Sequence, residues 1–504
     1  MPTAAFYTLG CKVNQAETRR LAEALRGRGW QIVDHKNQAS VYVINSCAVT
    51  AESARKTRQA VRRFKKNSPE AKIALIGCMP SVADNLGEEL PEADIILRQE
   101  EKDSLPEALD SLCREKDESC LMRSSSVTDL LPGDARRAAV KIQDGCDRFC
   151  SYCVIPLARG RARSVPAEEV LSECRSLLAG GVREIILTGI NLCAWGREEL
   201  IINNEELIIN NEQPINSNRQ ETNGGEELIK RKEKPTAGNG KLRIEKKILT
   251  DAKEKSTEGD GLLIIDKKQL TGDNKQLIFS NEGLTVADIL YTVNKLPGLL
   301  RLRLGSLEPD LLTYELLEKL VRIKKLCPHF HLSLQSGSDG VLRRMNRRYS
   351  TARFAEICAN IRALFPDCTI TTDIIAGFPG ETDAEFAETL AFAREIAFEK
   401  VHVFPYSARP GTRAAEMPGQ LPRAVKERRA RELIRAMDEI RQAFLRAQIG
   451  KTVELLPEET DAKGYMRGYT GNYIPTRVKH EPFPAGLVKV EITGVSGDYC
   501  VGRF

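Results

Sequence analysis

The sequence predicts an α/β protein in three parts: an N-terminal parallel α/β sheet domain over residues 1–130, a central partial (β/α)6 barrel over 136–440, and a small C-terminal β-barrel over 448–504. Two observations predict this. Short β-rich runs alternate with helical patterns along most of the chain, which implies parallel sheets with helices on their faces. From about Lys451 the pattern changes to short strands separated by Gly and Pro turns, as in a small barrel. A chain of 504 residues is also too long for a single core.

In the first part, "AAFYTLG", "VYVINS" and "KIALIG" read as strands, each followed by a helical stretch. Ligand crevices in such sheets lie beyond the carboxyl ends of the strands. A cysteine stands at each of those ends: Cys11, Cys47 and Cys78, at intervals of 36 and 31 residues. The spacing allows three thiols on one edge. The plainer alternative is three small buried residues that only pack.

From Arg136 six strand–helix rounds follow, with strands "AAVKIQDG", "REIILTGIN", "LLRLRLGSLE", "HFHLSLQSG", "TITTDIIAGF" and "KVHVFPYS". Six such units suggest an incomplete parallel barrel with chemistry at the carboxyl ends of its strands. Residues 198–282 interrupt it. They repeat "EELIINN" and hold no Cys, His, Tyr or Trp and one Phe. A composition of Asn, Glu, Lys and Gly cannot bury enough surface to offset ordering, so this insertion reads as largely disordered, with a small lid or partner-binding module as the alternative. A charged helix, "RAVKERRARELIRAMDEIRQAFLRAQIG", leads to the terminal strands, which carry seven basic and seven acidic side chains. Charge alone does not mark that part for nucleic acid.

No apolar run approaches the roughly 20 residues that span a bilayer. "MPTAAFYTLGCKVNQ" lacks the basic-then-apolar layout of a secretory leader. The expectation is a cytoplasmic protein without a membrane partner. The chain holds 14 cysteines; in a reducing compartment these point to metal or redox chemistry and away from a disulfide scaffold. Three of them, Cys146, Cys150 and Cys153, crowd into "GCDRFCSYC" directly after the first barrel strand. Structural zinc takes four protein ligands, and catalytic zinc usually includes histidine, which this stretch lacks. A C-x-x-C redox pair would leave Cys146 unexplained. Three thiolates around a four-iron cluster leave one iron open to an exogenous chelator. Zinc remains the alternative.

The spacing C-x3-C-x2-C resembles the signature of the radical S-adenosylmethionine (SAM) superfamily, whose open iron binds SAM. "GCKVN" at Cys11, "INSCAVT" at Cys47 and "IGCMP" at Cys78 resemble the N-terminal domain of the methylthiotransferases within that superfamily. "RGRARS" (159–164), "LTGIN" (187–191), "LQSGSD" (334–339), "DIIAGFPGET" (373–382) and "HVFPYSARPGT" (402–412) match further family motifs, and the terminal barrel resembles the RNA-binding TRAM domain. The likeness covers nearly the whole chain except 198–282. It is strongest to the bacterial branch acting on threonylcarbamoyladenosine in tRNA.

The resemblance implies two four-iron clusters, the radical SAM cluster on Cys146, Cys150 and Cys153 and an auxiliary one on Cys11, Cys47 and Cys78 that presents the transferred sulfur. It implies SAM contacts at Tyr152, beside the adenine, and at Thr188, Gly189, Asn191, Gln335, Ser336, Asp373 and Gly377. Each of these could instead be an ordinary strand-end residue. Arg159, Arg161 and Arg163 are expected either at the SAM carboxylate or RNA phosphate, or on a solvated loop. The implied partners are tRNA and a flavodoxin- or ferredoxin-type electron donor. Two basic patches offer an RNA handle: Arg55, Lys56, Arg58, Arg62 and Arg63 in "RKTRQAVRRFKK", and Arg343, Arg344, Arg347 and Arg348 in "RRMNRRYSTAR". The expected reaction adds a methylthio group to carbon 2 of threonylcarbamoyladenosine at tRNA position 37. Its rivals are isopentenyladenosine or a ribosomal-protein aspartate as substrate, or a non-catalytic iron–sulfur RNA-binding protein. Cys113, Cys120, Cys174, Cys193, Cys327, Cys358, Cys368 and Cys500 are expected mostly to pack.

Overall fold

The computed structural model describes residues 1–114, 136–196, 284–461, 463–479 and 486–504. The insertion expected at 198–282 lies outside the described residues, as do Cys120 and the side chain of Cys113.

The N-terminal part runs β1 (Thr3–Thr8), α1 (Lys12–Gly27), β2 (Gln31–Val33), β3 (Val41–Ser46), α2 (Ala51–Asn67), β4 (Lys72–Gly77), α3 (Cys78–Leu86), β5 (Ile95–Leu97) and α4 (Leu105–Arg114). Its strands form one parallel sheet in the order β2-β1-β3-β4-β5. Every residue of β3 is buried, as befits a central parallel strand that opens on the apolar run "VYVI". Leu21, Leu25, Leu105 and Leu109 cover one face of the sheet and Ala60, Val61 and Phe64 the other. Three strands match expectation. The edge strands β2 and β5 are three residues each, too short to show a period. Strand order reverses between β1 and β3, so a crevice opens there.

The central part continues β6 (Arg137–Lys141), β7 (Gln143–Asp144), α5 (Ile155–Arg159), β8 (Arg163–Ser164), α6 (Ala167–Ala179), β9 (Glu184–Thr188), α7 (Val286–Asn294), β10 (Arg301–Leu304) and β11 (Ser306–Leu307). Then come α8 (Tyr314–Val321), β12 (His329–Gln335), α9 (Asp339–Arg344), α10 (Thr351–Leu364), β13 (Thr369–Ala376), α11 (Asp383–Ile396), β14 (Lys400–Pro405), α12 (Arg413–Glu416) and α13 (Arg423–Arg446). Strands β6, β9 and β10 are parallel neighbours, and so are β11, β12, β13 and β14. The expected third strand is therefore split. Gly305 makes the break: its amide donates to Leu187 O at 2.8 Å, and a Cβ there would stand 3.0 Å from Thr188 Oγ1. Six parallel positions form an arc, and among the described residues no ladder joins β14 back to β6. The first strand ends sooner than expected, because β7 leaves the sheet to pair antiparallel with β8. Local signals start the helices: Thr382 and Glu385 form a capping box on α11, and Thr285 with Asp288 another on α7.

Strands β15 (Thr452–Thr460), β16 (Tyr465–Thr470), β17 (Pro475–Lys479), β18 (Val488–Ser496) and β19 (Tyr499–Arg503) close into a barrel in the order β15-β16-β17-β19-β18. Leu455, Met466, Val478, Val490, Ile492 and Cys500 fill it, joined by Leu445 from α13. The barrel docks at the amino ends of the arc strands. Arg301 donates to Tyr469 O at 2.8 Å and Glu454 O at 2.7 Å, and Thr369 Oγ1 donates to Asn472 O at 2.6 Å. The carboxyl ends are left to the cysteine loops. Cys174, Cys193, Cys327, Cys358 and Cys500 are buried, as packing residues would be. Among the described residues no helix is long and apolar enough to cross a membrane.

Candidate active site

Three neighbouring parallel strands carry the first thiol triad. Cys11 precedes α1, Cys47 follows β3 and Cys78 opens α3, so all three stand at one sheet edge beside the strand-order reversal. The loops touch: at Gly10, whose φ is +103°, a Cβ would lie 2.9 Å from Cys47 Cβ and 3.1 Å from its sulfur. Asn14 buckles them together. Its Nδ2 donates to Leu9 O and Ser46 O, each at 2.9 Å, while Cys11 Sγ donates to its Oδ1 at 3.6 Å. Ser46 Oγ donates to Ile76 O at 2.7 Å and accepts from Met79 N at 3.1 Å, tying the Cys47 loop to the Cys78 helix.

The second triad lies on the loop between β7 and α5. Gly145 has a φ of +68°, and a Cβ there would be 1.8 Å from Arg161 O, so this turn admits no side chain. Cys146 N donates to Gly160 O at 3.1 Å and closes the loop. Ser151 pins its middle to the end of α9, its N donating to Met345 O at 3.0 Å and its Oγ to Arg344 O at 2.8 Å. Arg347 reaches in from below and donates to Cys150 Sγ at 3.1 Å.

The two triads share one apolar cluster. Ala48, Cys78 and Val82 from the first pack with Val154 and Ala158 from the second, Val154 being the residue after Cys153. Beside it Arg159 donates to Asn14 Oδ1 at 2.6 Å, Glu17 Oε1 at 2.9 Å and Asp144 Oδ1 at 2.8 Å. Glu17 also meets Lys141 at 2.9 Å, Gln99 at 2.8 Å and Lys102. Burial alone would raise the Glu17 carboxyl, but Arg159, Lys141 and Lys102 together hold it well below the usual range.

Iron–sulfur clusters fit these donors. Burial, with repulsion from the neighbouring cysteines, pushes Cys78 and Cys153 up to about 12 and Cys146 to about 11, and raises Cys47. Crowded thiols of this kind ionise only against a strong local positive charge. Among the described residues no three His, Cys, Asp or Glu side chains converge on a point for a single ion. Thiolates that each hold a different iron of a cluster do not need to converge.

The expected SAM residues divide. Thr188, Gly189 and Asn191 lie at the end of β9 against Gln143, whose Oε1 accepts from Asn191 N at 2.7 Å. Asn191 is 7% exposed and its Oδ1 has no hydrogen-bond partner among the described residues. Tyr152 packs on Val341, Met345, Phe378 and Tyr406. Gln335 takes a φ of +69° where the β12 ladder shifts register, and Asp373 accepts from His331 Nε2 at 3.2 Å inside the arc. Two of the expected residues are enclosed by neighbouring side chains. Ser336 is fully buried, with its hydroxyl 3.2 Å from Thr389 Oγ1 and also accepting from Ser338 N at 3.2 Å. Gly377 donates to Glu381 Oε2 at 2.7 Å, and a Cβ there would meet Lys426 Cγ at 2.7 Å, so it serves close packing on α13.

Of the basic residues, Arg62 and Arg63 are exposed on α2, Arg63 lying over the Tyr7 and Phe64 rings at 5.1 and 4.7 Å. Arg55 and Lys56 are exposed and pair with Glu52, and Arg58 is half-buried. Arg343 and Arg348 are exposed, and Arg344 pairs with Glu385 at 2.8 Å. Arg347 is a correction: its side chain is 4% exposed, held by Glu308, Ser333 O, Tyr349 and Cys150. Arg159 is likewise internal, whereas Arg161 is exposed and pairs with Asp147 at 3.0 Å; Arg163 is exposed. Asn14, Ser46 and Glu17 were not singled out from sequence. Asn14 and Ser46 lie within "GCKVN" and "INSC", the only signal available.

A family model described as uncharacterized protein family UPF0004 matches residues 3–98, and the radical SAM superfamily model matches 140–232 and 278–393. The threonylcarbamoyladenosine tRNA methylthiotransferase MtaB of Bacillus subtilis (strain 168) is 31% identical over 100% of this chain and 96% of its own length. The chain belongs to the radical SAM methylthiotransferase family. The protein of the same name from Thermotoga maritima is 31% identical over 95% of the chain and 91% of its own. The tRNA-2-methylthio-N(6)-dimethylallyladenosine synthase of Chloroflexus aurantiacus is 32% identical over 97% and 89%. Membership makes the chain a transferase that works with four-iron four-sulfur clusters and SAM.

Proposed function

We propose that this chain is a cytoplasmic tRNA methylthiotransferase that adds a methylthio group to carbon 2 of threonylcarbamoyladenosine at position 37. The observation that carries the reading is the packing of Val154, next to Cys153, into one apolar cluster with Cys78 and Ala48. It supports a reading of two three-thiol cradles lying side by side. Cys146, Cys150 and Cys153 would hold the radical SAM cluster, and Cys11, Cys47 and Cys78 the auxiliary one. With SAM bound, these groups supply a carbon radical able to attack an unactivated C–H bond, and a sulfur to place there.

The chain's own residues do the positioning. Gly145 lets the loop fold back on Arg161, and Ser151 fixes its depth. Arg347 donates a charged hydrogen bond to Cys150, which favours the thiolate. Ala48, Val82, Val154 and Ala158 keep water from the ground between the cradles. Tyr152, Thr188, Gly189, Asn191, Gln335 and Asp373 border the arc's carboxyl edge, where SAM would lie. Residues 1–130, 136–440 and 448–504 are assigned as the auxiliary-cluster domain, the radical SAM domain and a TRAM-like RNA-binding barrel. A flavodoxin- or ferredoxin-type protein would supply the electron.

Nucleosides from a host lacking its own methylthiotransferases, complemented with this chain, test the reading. A new methylthio derivative of threonylcarbamoyladenosine supports it. Methylthiolated isopentenyladenosine would move the substrate to the other branch, and neither product from cluster-loaded protein would overturn the assignment.

Arg62 and Lys66 on α2, with Arg343 and Arg348 beside the radical SAM loop, are exposed cations placed for RNA phosphates. Changing all four to Gln is expected to weaken tRNA binding and to flatten its log–log salt dependence by about 0.7–0.9 for each phosphate no longer neutralised. Filter binding between low and high salt reads both. An unchanged slope would remove these residues from the RNA interface.

A further inference from the structure

Arg409 has no role in anything described so far, yet it is 8% exposed, and its Nε has no hydrogen-bond partner among the described residues. A buried guanidinium nitrogen without a partner is costly, and a nearby anion would offset that cost. The fold fixes that position. Arg409 lies on the loop between β14 and α12, in "SARPGT". Ser407 and Gly411 wedge this loop against both thiol-bearing segments. Ser407 Oγ accepts from Ala51 N at 3.3 Å, four residues after Cys47. Gly411, with a φ of +76°, lies where a Cβ would be 2.6 Å from Leu86 of α3 and 2.9 Å from Leu157 of α5. Thr412 stiffens the turn, its N and Oγ1 donating to Arg409 O at 3.2 and 2.7 Å.

The loop thus packs on α2, which follows Cys47, on α3, which opens at Cys78, and on α5, which follows Cys153. Burial and then Arg58 work against the charge on Arg409, while Glu88, and Cys47 once it is a thiolate, favour it. Arg159, on the other side of the same edge, is different: Glu17 and Asp144 already balance it. Of the two buried arginines beside the first triad, Arg409 is the one that makes no ion pair with a described carboxylate.

We propose that Arg409 is the counter-cation of the auxiliary site and holds the sulfur anion that occupies its open iron. This rests on the reading that Cys11, Cys47 and Cys78 bind a cluster. Three thiolates would leave one iron of a four-iron cluster without a protein ligand, and a sulfide or thiolate bound there would be an anion. The Arg409 guanidinium would offer such an anion a charge and donors in a fixed fork, which a lysine would not reproduce. Arg409 acts here as a positioning residue.

The full-length chain carrying Cys146/Cys150/Cys153→Ala isolates the auxiliary site. Reconstituted anaerobically, it is titrated with sodium methanethiolate while the absorption and electron paramagnetic resonance spectra of the cluster are followed. Iron at about four per chain in this parent, in Arg409→Gln and in Arg409→Lys is the expected baseline. Arg409→Gln is expected to weaken methanethiolate binding about tenfold or more, the effect of removing one charge-assisted hydrogen bond, with Arg409→Lys in between. Equal affinity in the parent and in Arg409→Gln overturns the proposal. If Arg409→Gln takes up no iron, Arg409→Lys decides, and parental affinity there overturns it. A parent without iron would instead overturn the auxiliary-cluster reading, and the inference with it. In the converse background, Cys11/Cys47/Cys78→Ala, SAM binding should be indifferent to Arg409→Gln. Weakened SAM binding would place the guanidinium at the other site and sink the proposal.

Discussion

Replacing Cys146, Cys150 and Cys153 together by alanine is expected to lower the iron of anaerobically reconstituted protein from about eight to about four per chain, and to abolish methylthiolation. The converse triple variant, at Cys11, Cys47 and Cys78, should also retain about four irons and be equally inactive. The structure gives the reason for independence in assembly. The first triad is set by the sheet edge and by Asn14 and Ser46, the second by Gly145, Ser151 and Arg347. Neither set of hydrogen bonds passes through a cysteine of the other triad. Arg347 loses one acceptor in the first variant but keeps Glu308, Ser333 O and Tyr349, so the loop's surroundings remain satisfied. Iron, acid-labile sulfide and nucleoside analysis on the same preparations check the prediction. Zinc in place of iron, or loss of all iron from either variant, would overturn the two-cradle arrangement.

What the sequence discloses and what it hides follow from range. The three cysteines of "GCDRFCSYC" are local, so their spacing alone suggests a cluster, with zinc as the alternative. Cys11, Cys47 and Cys78 are far apart in the chain, yet legible, because strand ends of a parallel sheet share an edge whatever their order. The direction of a single side chain is not local. Arg347 sits in a run that reads as a basic surface, but its backbone turns it under Cys150 while Arg348 faces solvent. Ser336 and Gly377 stand at strand ends, as cofactor residues would, and their packing against α11 and α13 left no trace in the sequence. Edge strands of three residues leave no periodic trace. Glu17 is hidden for another reason. In "NQAETRR" it looks like one more acid on a solvated helix face, and only the arc's first strand packing on α1 buries it.

Glu17→Gln is expected to destabilise the joined N-terminal and central parts by about 3–5 kcal/mol, the usual result of removing one partner from a buried ionic set. Glu17 is 2% exposed and faces Arg159, Lys141 and Lys102; in the variant only Asp144 remains to balance them. Lys102, which burial already pushes down to about 8, would lose the carboxylate it is paired with and shed its proton near neutral pH. The sign with pH follows from the depressed carboxyl. The ionised Glu17 stabilises the fold in full above its unfolded value of about 4.5, and the benefit fades as pH falls below that toward its low folded value. Asp144, held down to about 2, extends the same loss to more acid pH. Urea denaturation of parent and variant should therefore differ most above pH 5 and converge in acid. Because the network spans α1, β6 and α5, it fixes how the two thiol edges meet, so the variant should also lose methylthiolation at temperatures where its iron content is still complete. Parental urea midpoints at pH 7 would show instead that the apolar cluster around Val154 and Cys78 suffices to hold the edges together.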